Sequence, residues 1–156
     1  MVRDVGLRSA VETARALLRD NGYHCETTAE DFILWFRADT PYDQGDEINH
    51  VIVSPLYMAH ELVEIENVKA MGLELTKDVI IRNMQKVDDA HLKATRIELQ
   101  LAVSMRDIRH ISERMNHISM WIEDPSVTQE NKDLYRELRV KTLEALARLK
   151  RKMADE

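Results

Sequence analysis

Apolar residues recur at helical spacing from the start of the chain. Leu7, Val11, Ala14 and Leu18 share one face after Asp4, and Asn21-Gly22 supplies a stop, so a first helix is expected to end near residue 20. The pattern then changes. Phe32-Ile33-Leu34-Trp35-Phe36 and Ile48-Asn49-His50-Val51-Ile52-Val53 are short apolar runs, the second rich in β-branched side chains. Asp39 to Asp46, with Pro41 and Gly45, has turn chemistry throughout. Together these runs predict a small antiparallel β-hairpin.

Ser54-Pro55 reads as an N-cap followed by proline at the first helical position, and Gly72 sits where a glycine after a helix end is expected, giving a second helix over 55–71. Thr76 and Asp78 open a third, and neither Gly nor Pro recurs before Pro125. Uninterrupted to residue 123, it would be about 70 Å long, so it either breaks or projects as a hairpin or dimerisation arm. Ser126 and Gln129 match a capping box that starts a fourth helix, running to about Ala154. Its stripe of Leu134, Leu138, Thr142, Ala145, Leu149 and Met153 pairs naturally with Met105, Ile108, Ile111, Met115, Ile118 and Ile122, in coiled-coil fashion. The expected fold is α+β and predominantly α-helical, in one domain over 1–156. Residues 1–72 form a helix, β-hairpin and motif-helix part, and residues 73–156 a long helical hairpin.

Composition adjusts this picture little. With 44% hydrophobic and 32% charged residues among 156, the chain can bury a core. No apolar stretch approaches the ~18 residues of a membrane span and the first residues lack a signal-peptide core, so a cytoplasmic protein is expected. The single Cys25 is too little for a thiolate zinc site or an internal disulfide. A net charge of −6 argues against nucleic-acid binding. Charge is uneven, however. Residues 1–70 hold 6 basic and 13 acidic side chains, whereas residues 126–156 hold 8 basic and 6 acidic. The cations Arg148, Lys150, Arg151 and Lys152 suit the C-terminal end of a helix dipole or a docking face for an acidic partner. No phosphate-cradling glycine loop or nucleophile elbow is present. Trp35, Phe36 and Trp121 read as core or interface anchors.

The concentrated chemistry lies in Ala59-His60-Glu61-Leu62-Val63-Glu64. His60 and Glu64, four apart on a helix, can hold one ion, and Glu61, about 100° round, is placed as general base for a hydrolytic reaction. Ala59-His60-Glu61-Leu62 resembles the start of the HExxH helix of the zincin metallopeptidases, and the order helix, hairpin, motif helix over residues 5–71 is similar to their minimal core. The resemblance implies a metal-dependent, peptidase-like hydrolase with zinc as cofactor. Glu64 stands where those proteins carry a second histidine, which makes the site harder and less zinc-selective.

The third helix supplies further candidates. Its seam, Ile80, Met84, Val87, His91, Ala94, Glu98, Leu101, Met105 and Ile108, carries polar residues at two positions where apolar ones are expected. Antiparallel packing on the second helix would bring His91 or Glu98 towards His60 and Glu64. His91 is expected as third ligand and Glu98 as its hydrogen-bonding support, with the reverse assignment open. The competing reading is a non-enzymatic helical interaction protein, dimerising through its long helices, in which these residues form a metal-free polar network that fixes register. His110, Glu113 and His117 are expected on a solvated face. Asp88-x-x-His91 and Asp107-x-x-His110 lie too far apart on one helix to share a di-iron cluster.

Overall fold

The computed structural model describes residues 4–41 and 47–156. It is 78% helix, with no strand among the described residues, so the expected β-hairpin layer and the α+β class are corrected to an all-α fold. Residues 42–46 of the expected turn lie outside the described residues.

The first β-like run is a helix because of what precedes it. Thr28 caps α2 (Ala29–Arg37): its side chain accepts from Asp31 N while the Asp31 carboxylate accepts from Thr28 N, and Glu30 and Asp31 suit the positive end of the helix dipole. Ala29, Phe32 and Trp35 are then buried at steps of three, a helical rather than an alternating pattern. The second run is α3 (Glu47–Val53). Short apolar runs do not distinguish strand from helix by periodicity, and here packing on neighbouring helices decides against β propensity.

The chain divides into two compact units, Met1–Ala94 and Thr95–Glu156. In the first, α4 (Pro55–Ala70) is the central element. Ser54 Oγ accepts from Tyr57 N, Pro55 occupies the first turn, and Gly72, with φ 81°, follows the helix end. Leu56, Met58, Ala59, Leu62, Val63, Ile65 and Val68 are buried around its circumference, as befits a helix covered on several sides. Its covers are α1 (Asp4–Asp20), which presents Leu7, Val11, Ala14 and Leu18, together with α2 and α3.

The predicted third helix is three pieces. A single turn, α5 (Val79–Arg82), ends at Asn83. α6 (Met84–Ser104) follows, and the chain then turns at Arg106, with φ 56°, into α7 (Ile108–Glu123). Asp107 makes the restart possible, its carboxylate accepting from His110 N at 2.9 Å. The boundary between the units falls within α6. In the second unit Ile111, Met115, Ile118 and Ile122 of α7 are buried against α8 (Gln129–Ala154), which contributes Tyr135, Leu138, Thr142, Leu146 and Leu149. α8 is capped by Thr128 rather than Ser126, whose N–H and hydroxyl both donate to Asp124 Oδ1. No helix among the described residues is long and apolar enough to cross a membrane.

Candidate metal centre

Capping by Ser54-Pro55 fixes where α4 starts, and so which face His60 and Glu64 occupy one turn apart. Both are buried, at 2% and 6% exposure. His60 Nε2 and Glu64 Oε2 lie 3.4 Å apart. That is longer than the roughly 2.7–2.9 Å of a charge-assisted hydrogen bond. It equals the donor-to-donor edge, about 3.3–3.6 Å, of a tetrahedron built on zinc bonds of 2.0–2.2 Å. From α6, half-buried His91 places its ring edge-on to that of His60, centroids 4.8 Å apart at 72°.

His60, Glu64 and His91 each offer one donor atom, all within 4.8 Å of one another, and they are the one such group among the described residues. The widest separation needs to contract by no more than about 1.5 Å to complete a tetrahedral face, a change that side-chain rotation at His91 can supply. Two imidazoles and a carboxylate form a donor set that suits zinc and its first-row neighbours better than magnesium or calcium. Three protein donors also leave a coordination position for water or substrate, as in catalytic zinc sites. The residues therefore fit a divalent transition-metal ion. Glu61, next after His60, is half-buried and stands outside the three-residue group.

Two residues beyond Glu64 on α4 the chemistry is different. Glu66 accepts from Thr27 Oγ1 at 2.6 Å and Glu26 N at 3.1 Å, and Cys25 Sγ lies 3.6 Å away. Burial pushes the Cys25 thiol up, so it stays protonated and acts as a small core residue. Glu66 thus anchors the 25–27 segment to α4.

Glu98 belongs to a separate cluster, in the second unit. Fully buried, it receives Arg114 in a fork, Nε to Oε1 at 2.9 Å and Nη2 to Oε2 at 2.8 Å, and it also meets His110 Nε2. Arg114 Nη1 lies 3.3 Å from His117 Nδ1, and its guanidinium stands 5.4 Å from the Trp121 ring centroid. His117 has its pKa lowered by burial first and by the Arg114 charge second, so Nδ1 accepts from Arg114 as a neutral ring nitrogen. His110, expected on a solvated face, is 5% exposed. What the sequence reading missed is Arg114. Its signal is an arginine within the apolar spacing of Ile111, Met115 and Ile118, on the helix that follows a seam glutamate.

Of the five residues singled out from the sequence, the structure groups His60, Glu64 and His91, leaves Glu61 on α4 outside that group, and gives Glu98 to Arg114 and His110. The hairpin on which part of the zincin resemblance rested is replaced by α2 and α3. No family model, curated protein or solved structure matches the chain.

Proposed function

We propose that the protein is a divalent-metal-binding protein that holds a single ion, zinc in the first instance, through His60, Glu64 and His91. The observation that carries this reading is the convergence of three buried or half-buried donors from two helices, with the His60–Glu64 pair already at a metal-spanning separation. Taking a carboxylate out of water is costly unless it is paired or coordinated, and a cation satisfies Glu64 more fully than a 3.4 Å contact with an imidazole. In this reading the ion supplies Lewis-acid activation at the position the chain leaves free. Glu61 is the general base of a metal-dependent hydrolysis.

The test is metal content and affinity. Protein purified without a histidine tag is analysed for zinc, manganese, iron and cobalt, and zinc binding to the metal-stripped protein is measured by calorimetry. The expected result is one ion per chain, with affinity reduced at least ~10-fold in His91→Ala and in Glu64→Gln. Undiminished binding in both variants, or a folded wild type that takes up no zinc, would refute it. Glu61→Gln should retain the ion and lose hydrolytic activity, which separates the binding claim from the catalytic one.

A further inference from the structure

α8 carries a second stripe that the fold leaves uncovered. Its core-facing residues are Tyr135, Leu138, Thr142, Leu146 and Leu149. Beside them Asp133, Arg136, Val140, Leu143, Ala147, Lys150 and Ala154 follow one another in strict steps of three and four. Such an alternation lines up along one side of a helix and is the spacing of a two-helix seam. Val140 is 54% and Leu143 49% exposed, and Ala147 is exposed as well. The apolar part is central, with Asp133 and Arg136 before it and Lys150 after it.

We propose that this stripe is the contact surface for a second copy of the chain, packed antiparallel about a two-fold axis between Val140 and Leu143. A two-fold contact must be self-complementary, residue i meeting j and j meeting i. Antiparallel pairing satisfies this: Val140 meets Leu143 of the second copy, Arg136 meets Ala147, and Asp133 meets Lys150. The charge distribution along α8 sets the direction. Arg148, Lys150, Arg151 and Lys152 cluster at its C-terminal end, while its start mixes Glu130, Asp133 and Glu137 with Lys132, Arg136 and Arg139. A parallel pair would bring eight cations together at one end and set Asp133 beside Asp133, whereas the antiparallel pair sets each basic end beside a start of balanced charge and Asp133 beside Lys150. Asp133 also holds Arg136 of its own helix at 2.8 Å, which orients that carboxylate on the seam.

Exposed ion pairs contribute little affinity, so the charges choose orientation while the apolar centre and the Arg136 and Lys150 stems provide the contact. The surface is independent of the metal reading. It lies wholly on a helix that contributes no donor to the proposed centre.

Sedimentation equilibrium of the full chain tests the proposal. The wild type is expected to dimerise at micromolar concentration, and Val140→Glu/Leu143→Glu to weaken the dimer at least ~10-fold. Helicity by circular dichroism should be unchanged, because both side chains face solvent. A wild type that remains monomeric overturns the proposal, as does a dimer that the double variant leaves intact. Orientation is read by oxidative cross-linking in a Cys25→Ala background. Arg136→Cys mixed with Ala147→Cys should cross-link, and Arg136→Cys alone should not. Efficient self-linking of Arg136→Cys would overturn the antiparallel register.

Discussion

Zinc should stabilise this protein by an amount that disappears when one half-buried side chain is removed. His91 is the informative position, since His60 and Glu64 lie in the core of the first unit and truncating them disturbs packing, whereas His91 is half-buried on α6. A ligand that binds the folded chain alone adds RT ln(1 + [L]/Kd), about 2.7 kcal/mol at a free zinc concentration 100 times Kd. For a chain of this length, each kcal/mol raises the midpoint by about 2–4 °C, so the expected rise is about 5–11 °C. His91→Ala without metal should differ from the wild type by less than about 1 kcal/mol, the usual range for a partly exposed position. With zinc it should gain little. The assay is thermal denaturation followed by circular dichroism, with metal-stripped protein titrated with zinc and magnesium as the control cation. An equal zinc-dependent rise in wild type and His91→Ala would refute the assignment. So would a magnesium response as large as that to zinc, since the donor set is nitrogen-rich.

Three further outcomes follow from the same structure. Zinc affinity should fall as pH is lowered, because both histidine ligands must bind in the neutral form, and calorimetry in buffers of different ionisation enthalpy should show proton release. In the second unit, Arg114→Met alone leaves Glu98 buried without its forked partner and should cost about 3–5 kcal/mol by urea denaturation. Glu98→Leu combined with Arg114→Met should recover most of that loss. His117 has a folded pKa held below 6.5, by burial first and by the Arg114 charge second, with Glu98 and Glu113 opposing and His110 adding to the lowering. The unfolded chain therefore binds a proton before the folded one does, and this contribution to stability is present above pH 6.5, declines as pH falls below it, and is lost below the folded pKa. His117→Gln should flatten that part of the stability profile.

Where local chemistry decided the structure, the sequence reading follows it closely. Asn21-Gly22 ends α1, and Ser54-Pro55 and Gly72 bound α4, because capping oxygens, a proline without an N–H and a residue free to take positive φ act within a few positions of themselves. His91 was legible for a related reason, since a polar residue in an apolar seam needs a partner on the facing element. The hairpin expectation failed where neighbours decided. Phe32 to Phe36 carries β-favouring side chains, yet the Thr28 and Asp31 caps and the burial of Ala29, Phe32 and Trp35 fix a helix. That capping box was readable in the sequence and outweighs the composition of the run. The break at Arg106 was not readable in the same way. An arginine in the left-handed region costs about 1–2 kcal/mol and advertises nothing, and only Asp107, as the cap of the next helix, marks the place. The fate of Glu98 required Arg114, sixteen residues on, and no local rule links the two.

X-ray absorption at the zinc edge of the reconstituted protein reports the donors themselves. The expected result is a shell of nitrogen and oxygen atoms at about 2.0–2.1 Å, without sulfur. Outer-shell scattering should correspond to two imidazoles in the wild type and one in His91→Ala. A sulfur shell near 2.3 Å, or imidazole scattering unchanged by the loss of His91, would contradict it.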